Sequence, residues 1–290
     1  MKQLAILSGK GGTGKTSITA AFASLAQQTV FADCDVDAAD LHLILKPTIQ
    51  HTTKFYGLKL AQIDKNLCTT CKQCINHCAF TAITNTIDII PSACEGCGLC
   101  AHICPVNAIT MQDRLSGYAY QSTTRFGPMT HAALNTAEEA SGKLVTLVRE
   151  QATSLAAQHQ KDLILIDGPP GIGCPVIAAI TGVDLVLIVT EPTLSAIHDL
   201  KRILQLTKHF NIPTLVCINK YDINTENTTQ IEHYCTTNNI DIIGKIPYDT
   251  TITKAMIHEQ TINEYTTNQT TDIITNMWKK IHQKLTQERL

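Results

Sequence analysis

Ser8-Gly9-Lys10-Gly11-Gly12-Thr13-Gly14-Lys15-Thr16-Ser17 follows the apolar run Leu4–Leu7 and opens a helix-compatible run from Ser17 to Gln27. Strand, glycine-rich loop and helix, in that order, are the setting that a phosphate-binding loop requires. Glycines at 9, 11, 12 and 14 let successive backbone N–H groups turn toward one anion. The helix that follows adds its unpaired N-terminal donors and the positive end of its dipole. Lys15 is expected to meet the β- and γ-phosphates and the Thr16 hydroxyl to sit on Mg²⁺, with Thr13 and Ser17 completing the cradle.

Lys10 is a second lysine inside that loop, giving K-G-G-T-G-K-T. The pattern resembles the deviant Walker A motif of the MinD, ParA and nitrogenase iron-protein superfamily. The resemblance implies that Lys10 reaches across a nucleotide-sandwiched dimer to the partner's phosphates. A cation supplied in trans neutralises charge that grows in the transition state, an effect worth ~10³–10⁵ in rate for an arginine finger.

The chain of 290 residues has room for one large domain, or for one plus a small insertion. Its hydrophobic content of 44% supports a full core, and a net charge of −2 makes no electrostatic case for nucleic acid or an anionic membrane. Apolar runs such as Leu185–Val189 are too short to span a bilayer, and Met1-Lys2 leads straight into a strand with no signal peptide, so a cytoplasmic protein is expected. Eight of the twelve cysteines fall in two tight groups, which in a reducing compartment read as metal ligands rather than disulfides.

Val30–Ala32 reads as a second buried strand and Leu41–Leu45 as a turn of helix before Pro47. From about Ile63 to Met111 cysteines and short loops replace helical periodicity. Tyr118–Phe126 then resembles a strand returning to the main sheet, and Gly142–Ala157 an amphipathic helix. In the second half, strands Leu163–Ile166, Leu185–Thr190, Thr214–Ile218 and Ile242–Ile246 alternate with helical patterns near 174–181, 193–209, 226–236, 250–259 and 268–287. Fully apolar strands followed by helices predict an α/β fold, a mostly parallel sheet covered on both faces. The expected division is 1–61 and 113–290 for a P-loop domain in two parts, with 62–112 inserted. On the last helix Ile273, Ile274, Met277, Trp278, Ile281 and Leu285 share a face. Packing on the sheet is the expected use of it, and membrane targeting, as in MinD itself, the alternative.

Asp33-Cys34-Asp35 stands at the carboxyl end of the second strand, where open α/β sheets hold their ligands. By resemblance to the D-x-D of MinD-type proteins, Asp35 would position or deprotonate the attacking water and Asp33 would hold the metal's water shell. Asp37 and Asp40 are read as solvated residues of that switch loop. Asp167 ends the apolar run Leu163–Ile166 as a Walker B acid for Mg²⁺, and in Asp167-Gly168-Pro169-Pro170-Gly171 the N–H groups of Gly168 and Gly171 can swing toward a γ-phosphate. Asn219-Lys220-Tyr221-Asp222 could read a purine edge. N-K-x-D alone would favour GTP, whereas the deviant phosphate loop resembles ATP-using proteins, so ATP is expected. Ile246-Pro247-Tyr248 resembles the family's second base-contacting loop.

Cys68-x-x-Cys71-x-x-Cys74-x-x-x-Cys78 recurs as Cys94-x-x-Cys97-x-x-Cys100-x-x-x-Cys104-Pro105. Each run offers three thiolates from one loop, and the fourth ligates the other cluster. One [4Fe–4S] centre is therefore expected on Cys68, Cys71, Cys74 and Cys104, the other on Cys94, Cys97, Cys100 and Cys78. Zinc, which also takes four cysteines, is the competing metal. The segment resembles a bacterial two-cluster ferredoxin over about fifty residues, with Ala79 where the motif usually has proline. Cys34, Cys217 and Cys235 fit buried positions. Cys174 stands where the nitrogenase iron protein has a ligand to a cluster shared between subunits, but the stretch matching its companion, Glu138–Lys143, holds no cysteine.

The chain thus resembles MinD-superfamily ATPases with an inserted ferredoxin domain. The resemblance implies an ATP-hydrolysing, dimerising switch, homodimeric or paired with a homologous ATPase subunit, coupled to electron transfer with a redox partner. Two alternatives stay open. One is a metal-cofactor assembly or delivery ATPase serving a cofactor-carrier protein, and the other a MinD/ParA-like positioning ATPase with redox-sensing clusters.

Overall fold

In the computed structural model, which describes residues 1–135, 138 and 141–286, strands and helices alternate as the hydrophobic pattern predicts. The first half runs β1 (Lys2–Ser8), α1 (Lys15–Leu25), β2 (Thr29–Asp33), α2 (Leu41–Leu45), β3 (Thr48–Ile63), α3 (Gln73–His77), α4 (Leu99–His102), β4 (Ile109–Thr124) and β5 (Gly127–Leu134). The second half runs α5 (Ser141–Gln158), β6 (Leu163–Pro170), α6 (Cys174–Ile180), β7 (Leu185–Thr190), α7 (Leu194–His209), β8 (Thr214–Asn219), α8 (Thr225–Thr237), β9 (Asp241–Ile246), α9 (Thr250–Ile257), α10 (Ile262–Tyr265) and α11 (Gln269–Thr286). Among the described residues the sheet has nine strands in the order β3-β4-β5-β2-β6-β1-β7-β8-β9. From β2 to β9 the strand pairs β2–β6, β6–β1, β1–β7, β7–β8 and β8–β9 are all parallel, and β5 pairs parallel with β2. Parallel strands joined by helices leave both sheet faces covered, so β1, β6 and β7 are buried almost throughout.

The strands and helices expected between 142 and 286 are all present; Gln287, the end of the last predicted helix, lies outside the described residues. Two elements differ from the expectation. β3 extends to sixteen residues that the reading left unassigned, because its side chains are mostly exposed Thr, Lys, Gln and His rather than an apolar alternation. β5 was equally unassigned, since Pro128 and two alanines dilute its strand propensity, yet it is buried.

The chain forms two compact units: Met1–Thr52 with Ala119–Ala132 and Ser141–Leu290, and Thr53–Tyr118 with Ala133–Ala140. The second unit takes in more chain on each side than 62–112, because the halves of β3 and β4 that flank the cysteine runs belong to it.

In the first unit α11 buries Ile274, Met277, Trp278, Ile281 and Leu285 in the main core, with the Trp278 ring 5.3 Å from that of Phe22 on α1. Five such side chains at roughly 1.5–3 kcal/mol each could be withdrawn for a membrane only at a large loss. The apolar face of this helix is therefore a packing face. No helix among the described residues is long and apolar enough to cross a membrane.

The second unit is a doubled motif. Cys68, Cys71, Cys74 and Cys78 recur 26 positions later, and α3 and α4 begin at the matching positions Gln73 and Leu99 and pack together. Left-handed backbone recurs in register, at Thr70 and Gly96, Lys72 and Gly98, and Thr81 and Asn107. The Asp64 N–H donates to the Ala108 carbonyl and the Ile90 N–H to the Ala82 carbonyl, each at 2.8 Å, so each half lends a strand edge to the other. Among the described residues its main buried cluster is small: Ala61, Cys74, Ile83, Ile87 and Ile109. So small an apolar core holds a unit of this size together weakly without a bound group or cross-link.

Candidate active site and cysteine centres

The loop after β1 meets α1 at Gly14, whose φ of 89° lies in the left-handed region and which caps the helix with no side chain. The first N–H groups of α1 stay free for an anion. A Cβ at Gly14 would also lie 2.4 Å from Asn219 Nδ2, and one at Gly9 would lie 2.3 Å from the Cβ of Asp199, so neither position tolerates a side chain. A cavity of about 370 Å³ opens over the loop, within the range of small-ligand pockets. Gly11, Gly12, Thr13, Gly14, Lys15, Thr16, Ser17, Asp35, Asn219 and Lys220 line it, whereas Gly9 and Lys10 do not. Thr13 belongs to the lining, and its hydroxyl is buried without a hydrogen-bond partner.

Beneath the loop lies a charge cluster. The Lys15 ammonium sits 2.8 Å from Asp167 Oδ1 and 3.5 Å from Asp35 Oδ2. The Thr16 hydroxyl donates to Asp167 Oδ2 at 2.8 Å, and Thr19, one turn along α1, donates to Oδ1 at 2.9 Å. Burial works against the Lys15 cation, but Asp167 and then Asp35 outweigh it and hold its pKa above the ordinary value. Thr16 and Asp167 together present the hydroxyl and carboxylate that would hold Mg²⁺ through its waters. Asp35 is raised to about 6, chiefly by burial with Lys15 opposing, which suits a group that must accept a proton near neutral pH.

Asp33 differs from the expectation. It is fully buried, and its two oxygens accept the N–H groups of Asp35 and Leu41, each at 3.2 Å. Burial, then the Asp167 carboxylate, pushes its pKa far upward. A carboxyl so used shapes the loop between β2 and α2, and it lines no part of the cavity. Gly171 and Pro247 are likewise off the lining. The Gly171 N–H donates to the Ser8 carbonyl at 2.9 Å, and beside Pro247 it is Tyr248 that reaches the cavity. Asp40, read as a solvated residue, lines the cavity as well.

Asn219 and Lys220 brace the phosphate loop. Asn219 Nδ2 donates to the Thr13 carbonyl at 2.8 Å, and Lys220 Nζ to the Gly12 carbonyl at 3.0 Å. Asp222, the carboxylate a guanine reader would need, is absent from the lining and accepts the Tyr248 N–H at 2.7 Å.

The reading missed Glu191. Placed just past β7, at the ligand-binding edge of the sheet, it takes Lys10 on one oxygen at 2.8 Å and Lys220 on the other at 2.9 Å. Burial raises its pKa, but hydrogen bonds from Lys10 and Lys220 bring it below the ordinary value. Lys10 is thereby turned away from its own cavity. Replacing Glu191 with glutamine should free Lys10 from a half-buried pair worth roughly 1 kcal/mol. We predict that Glu191→Gln lets the protein dimerise with a non-hydrolysable ATP analogue at about fivefold lower concentration, as read by analytical ultracentrifugation. An unchanged or weaker dimer would show that Glu191 does not restrain Lys10.

In the doubled unit, one cavity is lined by Cys68, Cys71, Cys74 and Cys104, and another by Cys94, Cys97, Cys100 and Cys78. Each gathers three thiols of one run and the last thiol of the other. The two crossing sulfurs have matching donors: the Ala82 N–H lies 3.4 Å from Cys78 Sγ and the Ala108 N–H 3.3 Å from Cys104 Sγ. Four thiols arrayed around a cavity suit a [4Fe–4S] group, in which each thiolate binds a different iron.

The remaining cysteines divide as expected. Cys34, Cys217 and Cys235 are buried, and burial raises all three thiols, Cys235 to about 11. Cys174 is exposed, and a Cβ on Gly142 would stand 3.4 Å from its own. Glu139 and Ala140, within the stretch compared with the iron protein, lie outside the described residues.

The chain is similar to known proteins in family and fold. The family described as CobQ/CobB/MinD/ParA nucleotide binding domain matches residues 4–262. An uncharacterized protein of Methanocaldococcus jannaschii is 33% identical over 228 residues, 78% of this chain and 80% of that one. Pyruvate synthase subunit PorD of Methanothermobacter marburgensis is 42% identical over 50 residues, 17% of this chain and 62% of that one. Among solved structures, the septum site-determining protein MinD from Pyrococcus horikoshii, complexed with Mg-ADP, superposes with a TM-score of 0.59 at 18% identity, covering 97% of this chain and 95% of that one.

Proposed function

Because the chain belongs to the CobQ/CobB/MinD/ParA nucleotide-binding family, we propose that it is an ATP-hydrolysing, dimerising switch that couples nucleotide state to electron transfer through two [4Fe–4S] clusters. The observation that carries the reading is the pair of cavities, each with four thiols crossed between the runs, in a chain whose phosphate loop is complete. The likeness to a pyruvate synthase subunit over 50 residues, the length of the cysteine segment, supports it. Adenine is favoured over guanine because Asp222 is engaged by Tyr248 and lies off the cavity.

In this reading Lys15, the loop N–H groups and the Thr13 hydroxyl bind the phosphates, with Thr16 and Asp167 holding Mg²⁺. Asp35 orients the attacking water and takes its proton, while Lys10 of the partner subunit neutralises the developing charge. A γ-phosphate would draw the Gly171 N–H from Ser8, passing the nucleotide state to the loop before α6. When bound, the clusters would take up and release one electron each, and the eight cysteines hold them in place.

Cofactor delivery is the second reading. It is favoured by the exposure of one thiol in each run, Cys71 and Cys97, where an acceptor could attack.

The test is EPR of the dithionite-reduced holoprotein alone, with ATP and with a non-hydrolysable analogue. Nucleotide-dependent spectra or potentials are expected for the switch. Unchanged spectra, with cluster passing to an apo-acceptor, would replace coupling by delivery.

A further inference from the structure

The two cysteine cavities are made from one repeated motif, so differences at matched positions report how the sites differ. The first cavity is lined by Thr69, Lys72 and Gln73, and the second, 26 positions on, by Glu95, Gly98 and Leu99. The backbone is shared, with φ of 61° at Lys72 and 77° at Gly98. The N–H···S contacts to the crossing cysteines also match, at 3.3 and 3.4 Å, although such hydrogen bonds commonly set cluster potentials apart. Of the other charges in this unit, Lys59 passes Gly96 of the second loop with its backbone, and two cations are paired. Lys65 lies 2.8 Å from Asp88, and Arg114, which donates to the Pro91 and Cys94 carbonyls, is paired with Glu138.

We infer that Lys72 and Glu95 make the two sites electrically unequal, so that the site of Cys68, Cys71, Cys74 and Cys104 holds its cluster at a higher reduction potential than the site of Cys94, Cys97, Cys100 and Cys78. The inference rests on the reading that each cavity holds a [4Fe–4S] cluster. Reduction adds one negative charge to such a group. An ammonium beside it favours the reduced form, a carboxylate disfavours it, and leucine in place of glutamine removes a polar neighbour. All three differences act in the same direction. Lys72 is exposed and Glu95 half-exposed, so solvent and salt reduce each effect to a few-fold rather than orders of magnitude. The first site is filled by the first electron, and the second is the stronger reductant.

The experiment is a redox titration of the full-length, anaerobically assembled protein followed by EPR, with iron and sulfide counted in the same samples. The wild type should show two components. Lys72→Gly, which copies the residue of the other half at a left-handed position, should lower only the higher component. Glu95→Thr, the reciprocal copy, should raise only the lower one. Each shift is expected to be about threefold in the oxidised-to-reduced ratio at fixed potential, or ~30 mV for one electron. The double variant should bring the components closer by both shifts, leaving the part due to Gln73 and Leu99. A single wild-type component, or Lys72→Gly acting on the lower one, overturns the inference. His77, which also lines the second cavity, is the control. A larger shift from His77→Gln than from Glu95→Thr would assign the inequality to histidine and overturn it too. Fewer than eight irons per chain, with zinc in their place, would overturn the cluster reading itself, so the iron count separates the two failures.

Discussion

Lys10→Ala is expected to lower ATP hydrolysis by ~10³-fold or more while the monomer still binds nucleotide. Lys10 lines no part of its own cavity, and its ammonium rests on Glu191 at 2.8 Å. On the proposed reading its contribution to hydrolysis comes in trans. Lys15→Ala should differ in kind: it removes the cation from a fully buried Asp167, a loss of roughly 3–5 kcal/mol in stability as well as of nucleotide binding. Asp35→Ala should bind ATP and accumulate as a dimer. Mixing inactive Lys10→Ala with inactive Asp35→Ala decides the geometry. A two-fold dimer of one of each contains one site with both groups intact, so random pairing should restore about a quarter of the wild-type rate. If Lys10 served its own nucleotide, no mixed dimer would hold a complete site and the mixture would stay inactive. Wild-type hydrolysis by Lys10→Ala alone would remove the trans-lysine altogether.

Cys78→Ser is expected to empty the site built on Cys94, Cys97 and Cys100, not the one nearest it in sequence. Iron should fall from about eight to about four per chain, as one of two four-iron groups is lost. The surviving EPR and Mössbauer signals should match those of Cys97→Ser, while Cys104→Ser should match Cys71→Ser. The cavity linings dictate this pairing, since Cys78 faces the second cavity and Cys104 the first. Cys78→Ser resembling Cys71→Ser would contradict the crossed assignment. Loss of one group should also loosen the unit, whose main buried cluster is small.

How far these results were legible in the sequence depended on the range over which the causes act. The phosphate loop and the alternating strands and helices from Leu163 to Thr286 are written in local periodicity, because an element buried on both faces must be apolar along its whole length. The cysteine runs are as plain, since a loop that offers three thiols to one group admits few spacings. The strand β3 was not legible, because an exposed strand carries no apolar pattern to announce it. Nor was the part played by Asp33, which required knowing that the N–H groups of Asp35 and Leu41 fold back onto it.

The residue types and their spacing alone single out the candidates for chemistry: Lys15 and Thr16 in the phosphate loop, Asp35 after the second strand, and two quartets of thiols. Which of them are engaged, and by which partners, is a matter of the folded chain. Lys15 meets Asp167 across 152 residues and Asn219 meets Thr13 across 206. Glu191, near neither lysine in the chain, holds both Lys10 and Lys220. Motif spacing and periodicity come from the geometry of one loop or one helix, which a few consecutive residues specify. Pairings such as these come from the order in which strands join a sheet, and no local stretch encodes that.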